Sequence, residues 1–410
     1  MFGPGTLTIL VVLLVLSIVE RQTPLFLLSL ALLLAGILSQ LWERYGLVSV
    51  EYRRHFTKHQ AEFGETIDLE VEIVNRKLLP LAWLEVEDEI PKSLHPTRGK
   101  VYASHKYGRA IIDSLIPLRP YERVRRHYPI LCTVRGEHLF GPTRLRTGDL
   151  FGLVTRDMDL ESTDTLVVYP RVVPLTALGL PAHQPLGDQR IASWIFEDPS
   201  RVVGVREYSP RDSIRRIHWG ATARTQRLQV KVYEATTSHR VVVFLNLNTT
   251  SEDWWSFAFD PDVLELSITT AASLAAWALG EGYAVGLVTN GMHRLGAYRV
   301  AVETTSDPTH LPRFLEALGR LQPFAVRRFD QTLAEEARRL PYGVTVVVVT
   351  AGVSATVAAE LLALRRRGHP VTVILTGRGP TAGSIDGILV HRVGPPDVWH
   401  ETPALSFVAN

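Results

Sequence analysis

The distribution of apolar residues divides the chain into regions with different periods, and the first region is almost continuously apolar. Residues 2–19 and 25–42 form two apolar runs that are separated only by a short polar link with the sequence ERQTP. Each run has about eighteen residues, which is just long enough to cross a bilayer as a helix. We therefore predict a transmembrane helical hairpin over residues 1–46.

A cleaved signal peptide is the alternative explanation of the first run. It is disfavoured because no positive charge precedes the run and because a second apolar run follows at once. Arg44, Arg53 and Arg54 follow the second run, whereas the link carries Arg21 beside Glu20. Positive flanks stay in the cytoplasm, so we expect a two-pass protein of the cell membrane with its folded domains facing the cytoplasm.

From residue 47 the period changes to two. The segment ETIDLEVEIVN alternates apolar and acidic positions, as a half-buried antiparallel strand does. Turn residues separate further short runs, and no long helical period interrupts the pattern up to residue 172. We predict an antiparallel β-sandwich over residues 47–172, a domain better suited to interaction than to catalysis because it lacks a cluster of metal-ligating side chains.

The last third of the chain alternates buried strands with amphipathic helices. Runs such as RVVVFLNLN and VTVVVVT are typical of strands buried on both faces, and Asp260 with Pro261 marks the start of the first helix. The alternation predicts a doubly wound α/β domain over residues 239–395, followed by a tail over 396–410. Ligand sites of such sheets lie at the carboxyl ends of the strands. The loops at those ends are Asn246–Thr250, Thr289–Gly291 and Thr350–Ser354.

Net charge and cysteine content exclude few classes of function. The formal net charge is +2 and gives no general reason to expect a nucleic-acid partner. The single cysteine, Cys132, excludes an internal disulfide and agrees with a reducing compartment. A specific function must therefore come from local motifs.

The densest motif lies in the connecting segment, residues 173–238, which contains VREYSPRDSIRRIHWGATARTQRLQVKVYE. As a catalytic site it offers His218 as a general base oriented by Asp212 or Glu207, but no nucleophile stands at a telling spacing. As a nucleic-acid strip it offers many arginines, but acidic residues interrupt them. Both interpretations are disfavoured.

We favour a third interpretation, a polar seam between the two folded domains. Arg206, Arg216 and Arg224 would each pair with Asp212, Glu207 or Glu234, while His218 and Trp219 pack beneath them. The alternating residues Leu228, Val230 and Val232 would lead into the α/β sheet as an added strand.

The same segment resembles the signature of the bacterial domain-of-unknown-function 58 family. The resemblance rests on REY, RRIHW, TAR and LQVK with the acidic residues around them, and it extends to the apolar N-terminal pair, the β-rich part ending in VVYP and a C-terminal part similar to a von Willebrand A domain. Arg211 replaces the glycine that members carry before the motif aspartate, so that turn is expected to differ in shape. The motif residues are Arg206, Glu207, Tyr208, Asp212, Arg216, His218, Trp219, Thr222, Arg224, Lys231 and Glu234.

The resemblance implies partners but no activity. It implies association with a MoxR-type AAA+ ATPase and with other membrane-anchored von Willebrand A or transglutaminase-like proteins. Many von Willebrand A domains hold a divalent cation through Asp-x-Ser-x-Ser after the first strand, where this chain has Asn246, Asn248 and Thr250. None of these is anionic, so we expect no resident cofactor, and Mg²⁺ would need a carboxylate from a partner.

Together these features predict a membrane-anchored cytoplasmic adaptor or scaffold that is not an enzyme. Its partners would be proteins and the lipid bilayer, and nucleic acid is not expected. The alternative is a hydrolase or a metal-dependent enzyme centred on His218 or on the Asn246 loop.

Overall fold

The computed structural model describes residues 4–174, 196–208, 217–236, 240–250, 259–294, 296, 299–379, 385, 388–400 and 407–409. The chain divides into two compact units, Met1–Tyr169 and Pro170–Asn410. The first unit contains N-terminal apolar helices and β-sheets, and the second contains an α/β region. The predicted boundary at residue 172 lies three residues beyond the division at Tyr169.

Two helices open the first unit. Helix α1 (Pro4–Val19) and helix α2 (Thr23–Tyr45) contact each other, and α2 begins with Pro24 in its first turn. Small residues on α2, among them Ser29 and Gly36, are buried. Small side chains let two helix backbones approach closely, which is the usual basis of packing between apolar helices.

The outer surface of this pair is apolar and exposed. The exposed large hydrophobic side chains on the two helices are Ile9, Val11, Val12, Val15, Leu16, Ile18, Val19, Leu27, Leu28, Leu32, Leu34, Ile37, Leu38, Leu41 and Tyr45. By length and composition α2 could cross a membrane, whereas α1 is shorter. A third apolar helix in the second unit passes the same test, but it is 78% buried and is therefore a core helix.

The rest of the first unit is a β-rich domain with one apolar core. Its strands are β1 (Val50–Phe56), β2 (Gln60–Ala61), β3 (Thr66–Asn75), β4 (Leu81–Pro91), β5 (Lys100–Ala103), β6 (Arg109–Leu118), β7 (Arg123–Leu131), β8 (Gly136–Phe140), β9 (Thr143–Gly148), β10 (Thr155–Leu160) and β11 (Asp164–Val168). They form sheets in the orders β1-β3-β7, β10-β9-β4-β6-β5 and β2-β11-β8. Strand β3 alternates buried and half-buried residues, as its sequence predicts, and its apolar face enters the core.

A charged network crosses this core. Asp88 is buried and accepts hydrogen bonds from Tyr52 Oη (2.7 Å) and Thr143 Oγ1 (2.7 Å), while Arg54 Nη1 lies 3.2 Å from its carboxylate. Arg54 is itself fully buried and also approaches Asp164. Burial raises the pKa of Asp88, although Arg54 and the two hydroxyl donors oppose that change.

A glycine makes room for this arginine. Gly141 has φ = +88°, and a Cβ added there would come within 2.7 Å of Arg54 Nη1. The position therefore needs both the left-handed conformation and the absence of a side chain.

The second unit begins its described secondary structure with the motif segment and continues as an α/β domain. Its elements are β12 (Phe196–Glu207), α3 (Trp219–Thr225), β13 (Gln229–Thr236), β14 (Arg240–Leu245), α4 (Pro261–Gly280), β15 (Ala284–Thr289), β16 (Gly291–His293), β17 (Val300–Thr305), α5 (Leu311–Gly319), β18 (Leu321–Ala325), α6 (Phe329–Glu336), β19 (Thr345–Thr350), α7 (Ala355–Arg366), β20 (Val371–Leu375), β21 (Leu389–Val393) and β22 (Phe407–Ala409). The predicted start of the first long helix is confirmed, because Asp260 accepts hydrogen bonds from the N–H groups of Asp262 and Val263.

The main sheet has the order β17-β15-β14-β19-β20-β21-β22. Its five inner strands are parallel, and an antiparallel strand lies at each edge. After β14 the chain adds β15 on one side and β19 on the other, so the topological switch point lies between β14 and β19. The edge strand β22 comes from the segment that we expected to be a tail outside the domain.

The motif strand does not join this sheet. Strand β13, expected as an added strand of the α/β sheet, pairs with β12 in a separate two-stranded antiparallel sheet. The reason is local, since β12 comes before β13 in the chain and the two strands pair with each other as an antiparallel hairpin. This part of the prediction was wrong.

Replacing Asp88 tests the buried network. Asp88→Ala should lower the free energy of unfolding by about 3–5 kcal/mol, because it leaves a buried guanidinium without its main partner. Chemical denaturation of the purified chain, followed by a probe in the first unit, measures the change. The control is Asp157→Asn, which removes a half-exposed ion pair with Arg146 and should cost no more than about 1 kcal/mol. Equal effects of the two changes would contradict a structural role for the network.

Candidate functional site

The carboxyl ends of the parallel strands meet around three polar side chains. Asn246 follows β14, Asn290 follows β15 and Thr350 ends β19, and all three are buried. Asn246 Nδ2 donates to Thr350 Oγ1 at 3.0 Å, and Asn290 Nδ2 donates to Asn246 Oδ1 at 2.9 Å. We call Asn246, Asn290 and Thr350 the strand-end triad. The Asn246–Thr350 bond spans the switch point, where ligands of doubly wound sheets bind.

Further hydrogen bonds engage the same three side chains. Asn246 Oδ1 accepts a second bond from the backbone N–H of Asn248, and Asn290 Oδ1 accepts from that of Leu247. Thr350 Oγ1 donates to the carbonyl of Gly352. Asn246 Oδ1 is the side-chain oxygen that a cation would require, and its two lone pairs already accept hydrogen bonds within the fold.

The other predicted metal-loop residues contribute less to the triad. Asn248 enters through its backbone N–H, and Thr250 is half-buried. Their neighbour Thr249 accepts a bond from the backbone N–H of Asp260 and so ties the loop to the start of α4. Among the described residues there is no group of three or more His, Cys, Asp or Glu side chains that could hold a metal ion.

An ionic clamp beside these strand ends was missed by sequence reasoning. Arg378 Nε lies 2.7 Å from Asp260 Oδ2, and its Nη2 lies 2.5 Å from Asp397 and 3.7 Å from Asp262. Burial would raise the pKa of Asp260, but hydrogen bonds from Arg378 and from two backbone N–H groups outweigh it and lower that pKa. The clamp joins the end of β20 to the start of α4. Its only sequence signal was the loop TGRGP, which has no pattern that identifies such a role.

The motif segment forms a two-stranded hairpin that carries a short helix. Strands β12 and β13 pair in the register Arg206↔Val230 and Glu207↔Gln229. Helix α3 lies between them and is held by Thr222 Oγ1, which accepts from the backbone N–H of Gln229 at 3.0 Å. Gln226 ends the helix in the left-handed conformation. The described motif residues from Arg206 to Arg224 therefore lie near the end of the hairpin at which the chain passes from β12 to β13.

His218 serves the backbone at this end. Its Nδ1 accepts a hydrogen bond from the N–H of Ala221 at 3.0 Å, which makes it the N-cap of α3. The backbone N–H of His218 donates to the backbone carbonyl of Gln229. An acceptor Nδ1 carries no proton, so the neutral ring has its N–H at Nε2.

Among the described residues, Glu207 pairs with a different arginine from those predicted. Arg206 donates to the backbone carbonyl of Glu207, and the carboxylate of Glu207 is paired with Arg227 at 3.0 Å, on the surface. Arg224 is exposed. Trp219, expected to pack beneath ionic pairs, is 68% exposed because it is the first residue of a helix with no buried residue.

Several predicted motif residues lie outside the described part of the chain. Asp212 and Arg216 are outside it entirely, and so is Arg211. Lys231 and Glu234 belong to the backbone of β13, but their side chains are outside the description. Tyr208 is half-buried, and its backbone N–H donates to the carbonyl of Leu228. The proposed pairing of Arg206, Arg216 and Arg224 with Asp212 or Glu234 thus stays a prediction.

Comparison with known proteins supports the central motif. Residues 204–375 match the family model described as "Protein of unknown function DUF58". The uncharacterized protein YeaD of Bacillus subtilis (strain 168) is 26% identical over 263 residues, which are 64% of this chain and 60% of YeaD. The match thus spans about three fifths of that relative. The range of the family model includes the strand-end triad and the motif segment from residue 204 onward.

Solved structures resemble parts of the chain weakly. The CARDB domain of the PF1109 protein from Pyrococcus furiosus has a TM-score of 0.20 and 13% identity, covering 29% of this chain and 90% of that one. A cohesin module from a Clostridium perfringens family 33 glycoside hydrolase has a TM-score of 0.20 and 10% identity, covering 29% and 95%. Likenesses at this level carry no argument about function.

Two substitutions separate a structural from a metal-binding role of Asn246. Asn246→Ala should lower the free energy of unfolding by about 1–3 kcal/mol, because it leaves buried donors without partners. Asn248→Ala is the matched control, since it keeps the backbone N–H that the loop uses. Calorimetry of the second unit's transition measures both effects.

The same measurement with millimolar Mg²⁺ tests the cation. We expect Mg²⁺ to leave the melting temperature of the natural chain unchanged and to raise that of Asn246→Asp, in which an anionic ligand is restored. A clear rise for the natural chain would contradict the structural assignment.

Proposed function

We propose that this chain is a membrane-anchored adaptor, with α1 and α2 inserted as a hairpin and with both folded units in the cytoplasm. The second unit would bind a protein partner. By resemblance to the family, that partner would be a MoxR-type AAA+ ATPase, and other membrane-anchored von Willebrand A or transglutaminase-like proteins would join the assembly. The α/β domain would act as a von Willebrand A-like recognition module.

Membrane insertion is supported by the exposed apolar surface of α1 and α2. Exposure of a continuous apolar surface to water is unfavourable, so such a surface on a helix pair marks contact with lipid or with a partner. The basic residues Arg44, Arg53 and Arg54 follow α2, and the positive-inside rule places that end in the cytoplasm.

The observation that carries the adaptor proposal is that both candidate reactive centres are committed to the fold. His218 Nδ1 caps α3, and Asn246 uses both atoms of its amide within the strand-end triad. A hydrolase built on His218 or a metal site built on Asn246 would have to break these bonds. Recognition of a partner does not require that.

Exposed aromatic and basic side chains on the motif hairpin support its assignment as the contact surface. Trp219 is exposed at the start of α3, and Arg224 at its end and Arg227 just beyond it are exposed as well. Tryptophan and arginine are the residues that most often dominate the energy of protein interfaces. We propose that these three side chains contact the ATPase.

Membrane extraction tests the anchor. The full chain should stay in the membrane pellet after an alkaline carbonate wash, and a variant lacking residues 4–38 should be released into the supernatant. That deletion keeps Ser39, which donates to Asp149 of the β-rich domain, and the buried Trp42, so loss of the anchor is separated from loss of the fold. Release of the full chain by the wash would refute the anchor.

Affinity purification from detergent extracts tests the partner. The natural chain should retrieve an AAA+ ATPase, and Trp219→Ala should reduce its recovery several-fold because the aromatic anchor is removed. Tyr342→Ala is the matched control, since Tyr342 is a similarly exposed aromatic residue of the same unit. Recovery that is equal for both variants would exclude the motif hairpin as the contact surface, and absence of any ATPase would refute the partner.

A further inference from the structure

Four connections meet at one end of the β-rich domain. They are the α2–β1 link, the β3–β4 turn, the β6–β7 turn and the β9–β10 loop. The pairing Leu81↔Leu118 and the pairing Val50↔Asn75 place the ends of these strands together. The β5–β6 turn lies at the opposite end, about 30 Å away along β6. We call the first group the helix-proximal loops.

Direct hydrogen bonds hold these loops against the end of α2. Ser39 Oγ donates to Asp149 Oδ2 of the β9–β10 loop. Lys77 Nζ of the β3–β4 turn donates to the carbonyls of Gly46 and Val48 at 2.8 Å each. The backbone N–H of Tyr121 in turn donates to the carbonyl of Lys77.

Each of these loops exposes large apolar side chains. Leu78 is 74% exposed, Tyr121 68%, Leu150 67% and Phe151 54%. Exposed apolar residues that occur singly need no explanation, but these four lie on three loops that all surround the same helix. Val48 on the α2–β1 link is exposed there too.

The position of Ser39 fixes the level that the loops reach. Ser39 lies six residues before the end of α2 at Tyr45, so the β9–β10 loop extends about 9 Å back along the helix. With the N-terminal part of α2 in a bilayer, the β9–β10 loop therefore lies closer to that bilayer than the C-terminal end of α2 does. A membrane position that buries the apolar part of α2 also brings Leu150 and Phe151 to the lipid surface.

The backbone conformation of Tyr121 indicates that its side chain has a role other than stabilising the fold. Its φ is +56°, a conformation that an aromatic residue adopts at a cost and that asparagine tolerates better. The side chain gains no burial in return. Strained residues persist where the fold holds a side chain in place for another purpose.

Basic side chains surround the apolar tips. Arg44, Arg76, Arg119 and Arg156 are exposed on the helix end and on or beside the same loops, where the acidic residues include Glu43, which is exposed, and Glu51, which pairs with Arg76. Lys77 lies among them, and burial lowers its pKa to about 8. Apolar and aromatic tips within a basic rim suit the headgroup region of an anionic bilayer.

We infer that the helix-proximal loops are a second membrane contact, in which Leu78, Tyr121, Leu150 and Phe151 enter the interface of an anionic bilayer around α2. This inference rests on the proposed insertion of α1 and α2. It adds that the β-rich domain lies directly on the lipid surface with its helix-proximal end, instead of hanging from a free tether.

Site-specific fluorescence tests the contact in the full chain. Single cysteines replace Tyr121, Phe151, Leu32 of α2, or Tyr107 at the far end of the domain, and each carries an environment-sensitive dye. The native Cys132 does not interfere, because burial raises the pKa of its thiol to about 11 and shields it. The labelled proteins are reconstituted into vesicles of phosphatidylcholine and phosphatidylglycerol that contain nitroxide-labelled lipids.

We expect the dyes at positions 121 and 151 to be quenched several-fold more strongly than the dye at 107, and most strongly by nitroxides near the headgroup. The dye at position 32 should be quenched by nitroxides deep in the acyl chains. If position 32 is not quenched, the proposed insertion itself fails. If position 32 is quenched while 121 and 151 behave like 107, the insertion stands and the second contact is refuted.

Two further variants separate lipid contact from folding. The double change Leu150→Ser with Phe151→Ser should reduce quenching at position 121, because the domain is held less firmly at the surface. Tyr121→Asn should keep or raise the melting temperature while reducing quenching at position 151. Unchanged quenching in both variants would overturn the inference, since their exposed side chains have no other stated role.

Discussion

The hydrogen bond between Asn246 and Thr350 is the interaction on which the second unit depends most. It joins the ends of β14 and β19 where the chain changes direction across the sheet, and it does so with groups that are buried. Buried polar groups are costly unless each has a partner. Asn290 completes the set by donating to the same amide and accepting from the backbone N–H of Leu247. The strand ends are thus fixed by a closed group of neutral donors and acceptors.

The hydrogen bonds within the strand-end triad explain why the switch point of this sheet, a place where ligands often bind, is not an obvious reaction centre here. A carboxylate at residue 246 would attract a cation but would place an acceptor against Thr350 Oγ1, whereas an amide donates to that hydroxyl and accepts from another amide at once. Charge is instead collected beside the triad, where Arg378 holds three aspartates together. The edge of the sheet therefore combines a neutral interior with an ionic surface.

The sequence allowed much of the fold to be predicted because periodicity depends on near neighbours. The alternation in β3, the buried runs of β14 and β19 and the cap at Asp260 all follow from residues within a few positions of one another. The strand-end loops were also identified, since a parallel sheet must bring carboxyl ends to one edge. The site could not be completed in the same way. Arg378 and Asp260 are 118 positions apart, and Ser39 and Asp149 are 110 apart, and no local pattern selects such pairs. The separate pairing of β12 with β13 and the exposure of Trp219 likewise depend on tertiary packing.

Hydrogen bonds join α2 to the β-rich domain, so that the two should tilt together. They are the bond from Ser39 to Asp149 and the bonds from Lys77 to Gly46 and Val48. A tilt of about 20°, which is ordinary for a helix in a bilayer, would swing the far ends of strands about 30 Å long through about 10 Å. With α2 inserted as proposed, changes in bilayer thickness would then be converted into lateral displacement of the β5–β6 turn. Mechanical coupling of this kind requires no hinge in the linker, because the linker is clamped.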